Sequence, residues 1–218
     1  MAIIPCLNEE TTIGTVVKAV RQHLPTVLVV DDGSKDTTAG TADDAGAITL
    51  CHPSNQGKGE ALQNGFRWAR QHGFTWALSL DGDGQHSTDD INRFFAAAME
   101  TSASLVVGNR MNDANRMPWV RRQVNRWMSQ RLSKLTGQSL PDSQCGFRLM
   151  NLQAWAELSI TVSRFEIESE VLLKFALARK VIAFIPIQVI YKKEKSKIHP
   201  LRDTVRWFRW WKQARRHG

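Results

Sequence analysis

The stretch Leu78-Ser79-Leu80-Asp81-Gly82-Asp83-Gly84-Gln85-His86 runs an apolar strand into two carboxylates one residue apart. Side chains two positions apart in extended backbone point the same way, so Asp81 and Asp83 can face one ion. Gly82 and Gly84 let the chain turn sharply and a ligand come close. An all-oxygen donor set suits Mg²⁺ or Mn²⁺, which keep coordination sites open for substrate phosphates. Taken alone, such a stretch also marks an ordinary turn between a strand and a helix. The remainder of the chain separates the two readings.

Outward from this turn, strands and helices alternate. Ala2–Pro5 reads as a short buried strand, and Thr11 or Thr12 is placed to cap a helix whose Ile13, Val16, Val17 and Val20 share one face. Thr26–Val30 is a run dominated by β-branched residues, of the kind found in buried parallel strands, and it ends at Asp31-Asp32-Gly33-Ser34. A polar helix to about Ala45 and a strand near Ala47–Cys51 follow. Gly57-Lys58-Gly59 opens a helix carrying Ala61, Leu62, Phe66 and Ala69. Thr75–Leu80 is the strand that enters the two-carboxylate turn, Asp89–Glu100 is helical and Ser104–Gly108 is another strand.

This alternation predicts an α/β fold, a mostly parallel sheet with helices on both faces. From Pro118 the chain reads as helical and basic, passes through Asp142–Arg148 to another helix, and reaches a strand pair near Ile182–Tyr191 before a final helix. The first strand starts almost at Met1, which implies either a short sheet edge or a late start. Ligands of such sheets gather at the carboxyl ends of the strands. The polar clusters fall there: Asn8-Glu9-Glu10, Asp31-Asp32, Asn55 to Lys58, Asp81 to His86, and Asn109-Arg110. Solvation alone does not put ligand-type residues at five successive strand ends.

At 218 residues and 42% hydrophobic composition the chain supports one substantial core and a small appended element. No apolar run reaches the roughly 18 residues needed to cross a bilayer, and the first residues lack the basic-then-apolar pattern of a signal peptide. Cys6, Cys51 and Cys145 are odd in number and scattered, which argues for reduced thiols in a cytosolic setting. From Lys192 to Gly218 there are ten Lys/Arg against two Asp/Glu, which accounts for the whole formal charge of +8. A basic tail points to an anionic partner.

The ordered set Pro5-Cys6-Leu7-Asn8-Glu9, Val30-Asp31-Asp32-Gly33-Ser34, Asn55-Gln56-Gly57-Lys58-Gly59, Asp81-Gly82-Asp83-Gly84-Gln85-His86, Gly108-Asn109-Arg110 and Asp142-Ser143-Gln144-Cys145-Gly146-Phe147-Arg148 resembles family 2 glycosyltransferases of the GT-A fold. Within them it is most similar to the dolichyl- or polyprenyl-phosphate mannose and glucose synthases. The resemblance covers nearly the whole chain, with a GT-A domain over 1–198 and a basic, Trp-rich helix over 199–218. It implies a nucleotide pocket built from Pro5, Leu7, Glu9, Val30, Lys58, Asp81 and Gly82, with Asp32 on the base or ribose. It implies Asp81, Asp83 and Gln85 as ligands of Mg²⁺ or Mn²⁺ on the donor diphosphate. Arg110 and Arg121 belong near the phosphates, making Asp83, Arg110, Arg121 and Arg148 the catalytic set. Arg148, Lys193 and Lys197 fall on the acceptor and phosphate side. Leu7 stands where the family often carries an aromatic residue, and Lys193 where it often carries an arginine.

Breaking a sugar–diphosphate bond builds negative charge on the β-phosphate, which a divalent ion and cationic side chains stabilise. The resemblance implies inversion at the anomeric carbon. A lipid-phosphate acceptor is already ionised and needs positioning by cations, for which Arg148, Lys193 and Lys197 are candidates. The alternative acceptor is a glycolipid or polysaccharide hydroxyl, which needs a base. Glu166, Glu168 or Glu170 could supply it, against a slightly favoured reading as a solvated helix face. A further alternative is a nucleotide-sugar-binding module without catalysis. Gly57-Lys58-Gly59 is no Walker loop, because Gly59 stands where that loop needs Ser or Thr. His86 reads as a local hydrogen-bonding residue and Cys145 as packing.

Drawn as a helix at about 100° per residue, the tail puts Leu201, Val205, Trp207, Phe208 and Trp211 on one broad side and Arg202, Arg206, Arg209 and Arg216 opposite. Such a helix either lies in an anionic membrane interface or packs on the core with a solvated charged side. A polyprenyl-phosphate acceptor favours the membrane, which makes the expected location peripheral on the cytoplasmic membrane face. Nucleic acid is the weakest partner, since no binding motif accompanies the charge.

Overall fold

A computed structural model describes residues 1–111, 117–190 and 200–215, with the main chain alone from 200 to 204. One sheet of seven strands organises them, in the order β3-β2-β1-β4-β6-β5-β7. The first half alternates β1 (Ala2–Cys6), α1 (Ile13–Arg21), β2 (Val27–Asp31), α2 (Thr38–Asp44), β3 (Ile48–Cys51), α3 (Lys58–Gln71) and β4 (Trp76–Ser79). A 3-10 turn (Thr88–Asp90) leads into α4 (Ile91–Thr101), followed by β5 (Leu105–Asn109) and α5 (Trp119–Thr136). Then come β6 (Arg148–Asn151), α6 (Leu152–Ala156), α7 (Ile167–Leu177), β7 (Ile182–Pro186) and α8 (Pro200–Ala214).

β1, β2 and β3 run parallel, with Ala2 opposite Val27, and Leu28 opposite Ile48. Ile13, Val16, Val17 and Val20 of α1 are buried, as their spacing predicts. The chain winds outward from β1 to β3 with α1 against α2, and α3 then returns across β2 and β1 to β4. Right-handed crossovers put that return on the opposite face. Gly65 makes the close approach possible, since a Cβ there would lie 2.6 Å from Ile3 Cγ2. β1 lies between β2 and β4, so the start of the first strand is not at a sheet edge.

Two features differ from the sequence expectation. The segment after Asp142–Arg148 forms a strand, β6, wedged antiparallel between β4 and β5, with Arg148 opposite both Ser79 and Val107. At four residues, Arg-Leu-Met-Asn carries too short an apolar pattern to separate strand from helix. Its reversed direction matters: the start of β6 lies at the carboxyl ends of its neighbours, so the loop from Asp142 to Phe147 is delivered beside the Asp81 turn. The strand pair expected near Ile182–Tyr191 is instead the single strand β7, parallel to β5. The chain beyond it turns back, with the Ile190 N–H donating to Gln85 O at 2.9 Å and Val189 bridging His86. Tyr191 lies outside the described residues.

Candidate active site

The loops after β1, β2 and β4 are tied together at the carboxyl edge. Asn8 holds a left-handed φ of 52°. Its N–H donates to Ser34 Oγ and its Oδ1 accepts from the Lys35 N–H, both at 2.8 Å. The Glu9 N–H donates to Thr38 Oγ1 at 2.8 Å, and Thr12 Oγ1 donates to Gly82 O at 2.8 Å. Gly82 packs so closely on β1 that a Cβ would lie 2.6 Å from Cys6 Sγ. Pro5, Leu7 and Glu9 are partly exposed along this rim.

Asp81 and Asp83 emerge from β4 into a small charged cluster. Lys58, at the start of α3, places Nζ 2.6 Å from Asp81 Oδ1 and 2.7 Å from Glu168 Oε1 of α7. His86 Nε2 stands 3.5 Å from Asp81 Oδ2. Burial alone would raise the Asp81 carboxyl, but Lys58 and His86 hold it well below the ordinary carboxylate range. Burial likewise works against the Lys58 ammonium, and the carboxylates of Asp81 and Glu168 overcome it to raise its pKa. Asp83 is pushed up by burial and then by the Asp81 charge, while its Oδ1 accepts the Gln85 N–H at 3.0 Å.

A carboxylate held against a neighbouring negative charge suits a divalent cation. Among the described residues no group of three or more His, Cys, Asp or Glu is arranged to hold a metal ion. Asp81 and Asp83, with Gln85 adjacent, would suit Mg²⁺ or Mn²⁺ as a pair of carboxylates, and the remaining oxygen ligands would have to come from a diphosphate and water. Gly146 roofs the cluster: a Cβ there would lie 3.0 Å from both Asp81 oxygens and from Lys58 Nζ.

Arg110, at the end of β5, is buried and bound to Asp142 through Nε to Oδ2 and Nη2 to Oδ1, each 2.8 Å. The Arg110 N–H adds a third bond to Oδ2 at 3.0 Å, and Asn125 Nδ2 donates to Oδ1 at 2.9 Å. Burial would raise the Asp142 carboxyl, but these partners hold it well below its ordinary value. Arg121 lies in the first turn of α5, partly exposed. Lys193 and Lys197 lie outside the described residues.

Several expected contacts need correction. Arg148 does not reach out to substrate: it is 3% exposed and donates to three main-chain carbonyls, Cys145 O at 2.7 Å, Glu168 O at 2.7 Å and Ser143 O at 3.0 Å. It braces the loop that carries Gly146. Val30 is fully buried in β2, so it packs in the core and does not line a surface pocket. Asp32 faces the protein, with Oδ1 accepting from His52 Nδ1 and the Gln56 N–H, and Oδ2 from the Gly57 N–H, all at 2.8 Å. It ties β2 to the turn that presents Lys58.

Glu168 and Glu170 are not on a solvated face, being 4% and 3% exposed. Glu170 accepts from the Thr161 and Val162 N–H groups at 3.0 and 2.9 Å, and Glu168 holds Lys58. Apart from Glu168, Ser169, Glu170 and Lys174 the α7 sequence is apolar, without one continuous charged face, and that pattern of a largely enclosed helix was the available signal. Cys145 is buried and its thiol is pushed up to about 11 by that burial, in keeping with packing.

The tail helix splits its apolar side in two. Trp207, Trp210 and Trp211 are buried in the core, while Val205 and Phe208 are 51% and 41% exposed. Trp207 Nε1 donates to Ser169 Oγ at 2.8 Å, and Gln144 Nε2 reaches the same oxygen at 2.7 Å. α8 is thereby joined to α7 beside Glu168 and to the Gly146 loop. Among the described residues no helix is long and apolar enough to cross a membrane.

Residues 1–158 match the family model described as Glycosyl transferase family 2. The chain belongs to this family. This glycosyltransferase is 31% identical over 212 residues to a UDP-N-acetylglucosamine–dolichyl-phosphate N-acetylglucosaminyltransferase of Methanococcus voltae, covering 87% of this chain and 84% of that one. It is 28% identical to the polyprenol monophosphomannose synthase of Mycolicibacterium smegmatis over 74% of this chain and 64% of the other. Against the undecaprenyl-phosphate mannosyltransferase of Micrococcus luteus the identity is 30%, over 71% and 63%. Among solved structures, glucosyl-3-phosphoglycerate synthase from Mycobacterium tuberculosis in complex with UDP gives a TM-score of 0.73 at 21% identity, covering 98% of this chain and 77% of that one. The same enzyme with Mn²⁺, UDP and phosphoglyceric acid gives 0.71 at 19% identity, over 95% and 74%. At such identities the likeness concerns the fold.

Proposed function

We propose that this glycosyltransferase moves a hexose from a nucleotide sugar to the phosphate of a membrane polyprenyl carrier, with Mg²⁺ or Mn²⁺. The observation that carries the donor half is the Asp81–Asp83 pair at the carboxyl end of β4, facing Lys58 and His86. Asp81 and Asp83 would hold the metal, with Gln85 beside them, and the metal would stabilise charge on the departing diphosphate. Lys58 stands beside the pair, and Arg110 and Arg121 are the arginines assigned to the same charge, with Asp142 fixing the direction of the Arg110 guanidinium. Pro5, Leu7 and Glu9 form the rim on which the nucleotide lies.

The acceptor half rests on two supports. Relatives from three organisms are named as a dolichyl-phosphate N-acetylglucosaminyltransferase, a polyprenol monophosphomannose synthase and an undecaprenyl-phosphate mannosyltransferase. The buried carboxylates of α7 are engaged by Lys58 and by the 161–162 main chain, which disfavours them as bases for a hydroxyl acceptor. A phosphate oxygen is already ionised and attacks by direct displacement, inverting the anomeric centre, with no dedicated base. The exposed Val205 and Phe208 of α8 sit beside Arg209 and Lys212, an apolar strip with cations suited to an anionic membrane surface. Peripheral attachment at the cytoplasmic face follows from that reading.

The test is to incubate the protein with labelled UDP- and GDP-sugars, Mn²⁺ and vesicles containing polyprenyl phosphate. Label in an acid-labile lipid phosphodiester is expected. Transfer to a soluble or glycolipid hydroxyl, with none to polyprenyl phosphate, would contradict it.

A further inference from the structure

We propose that Lys58 competes with the divalent cation for Asp81 and passes to the donor's diphosphate as the metal enters, with Glu168 holding it in position between the two. The inference rests on the donor-site reading above. It makes Lys58 and Glu168 a coupling device through which metal and nucleoside diphosphate bind cooperatively.

The geometry carries it. Lys58 Nζ lies 2.6 Å from Asp81 Oδ1 and 2.7 Å from Glu168 Oε1, and its side chain is only 16% exposed. Asp81 Oδ2 meanwhile faces His86 Nε2 at 3.5 Å. Both oxygens of this carboxylate are thus turned toward protein groups. A cation binding Asp81 meets an ammonium already on the same carboxylate, and like charges at that range repel strongly in a partly buried site.

The ammonium has somewhere to go. Lysine is a point charge on a flexible four-carbon stem, whereas its main chain here is fixed. Gly57 has a φ of 102°, a Cβ on Gly59 would lie 2.6 Å from Ser163 C, and Asp32 binds the Gly57 N–H at 2.8 Å. The stem can swing from a pinned base. An arriving diphosphate supplies the anion that replaces Asp81 as its partner. Glu168, anchored through Ser169 and Trp207 on α7 and α8, keeps the ammonium within reach of the site during the exchange. Two ligands whose binding each removes an obstacle to the other are coupled by the same factor in both directions.

The experiment is a Mn²⁺ titration followed by the EPR signal of free Mn²⁺, alone and with saturating UDP or GDP. It compares the wild type with Lys58→Met, Glu168→Gln and the double variant. In the wild type, Mn²⁺ alone binds weakly and the diphosphate tightens it. Lys58→Met is expected to bind Mn²⁺ alone about tenfold more tightly, with a correspondingly smaller gain on adding the diphosphate. Glu168→Gln is expected to bind Mn²⁺ alone more weakly than the wild type, because Lys58 then rests on Asp81. The double variant guards against misfolding caused by an unpaired Glu168, and it must bind Mn²⁺ more tightly than Glu168→Gln. Unchanged or weaker Mn²⁺ binding in folded Lys58→Met overturns the inference while leaving the donor-site reading intact. Absence of any joint Mn²⁺ and diphosphate binding in the wild type overturns both.

Discussion

Arg110 grips Asp142 through two parallel bonds of 2.8 Å, and the pair bridges the end of β5 and the loop that carries Gly146. Asp142 is wholly buried and also receives Asn125 and the Arg110 N–H. Removing one partner of such a pair leaves a buried charge uncompensated, at a cost of about 3–5 kcal/mol. Asp142→Ala is therefore expected to lower the unfolding free energy by that much and to reduce transfer, measured by equilibrium urea unfolding and by the transfer assay.

The same pair sets a pH dependence. The folded-state pKa of Asp142 is depressed, so its contribution to stability is complete above the unfolded carboxylate pKa of about 4. It fades as the pH falls below that value toward the lower folded pKa. Unfolding free energies measured between neutral pH and strong acid should drop more steeply for the wild type than for Asp142→Asn. Parallel profiles would show that Asp142 adds no such linkage.

Trp207 ties α8 to Ser169 by one hydrogen bond at 2.8 Å and stacks on Trp211 at 5.4 Å between centroids. Trp207→Phe removes the donor and some packing, so a loss of about 1–3 kcal/mol is expected, against about 3–5 for Trp207→Ala. Thermal unfolding checks the order. Equal stability of wild type and Trp207→Ala would mean that α8 does not dock as described.

Gly146→Ala places a methyl 3.0 Å from both Asp81 oxygens and Lys58 Nζ. Those are polar atoms of the site, so the effect should fall on function: roughly a tenfold to hundredfold loss in kcat/KM. The fold should lose no more than ~1–3 kcal/mol, the usual range for added volume in a packed site. Steady-state kinetics beside a melting curve separate the two.

The parallel half of the fold was legible because its strands are continuous apolar runs and its helices repeat every three or four residues. Ile13, Val16, Val17 and Val20, like Ala61, Leu62, Phe66 and Ala69, lie buried where their spacing puts them. The inserted strand β6 was not, since four residues carry no usable period and its pairing is wholly long-range. In the site, the Asp81–Asp83 turn stood out by residue type alone. Glu168 did not, because its meaning depends on Lys58, 110 positions earlier in the chain. Arg148 and Asp32 look like ligand residues in sequence, yet burial directs their polar atoms to main-chain groups and His52. The tail helix shows the same limit: its pattern gives an apolar side, but only packing decides that Trp207, Trp210 and Trp211 face inward while Phe208 stays partly exposed.

The central claim is that Asp81 and Asp83 hold the metal on a sugar nucleotide's diphosphate. Its most direct test is sugar transfer from a labelled nucleotide sugar by wild type and by Asp83→Ala, with Mn²⁺ and with EDTA. Transfer by the wild type is expected to be abolished by EDTA and restored by Mn²⁺, with at least about a hundredfold loss in folded Asp83→Ala, about 2.7 kcal/mol in the barrier. Transfer that survives both EDTA and Asp83→Ala would contradict it.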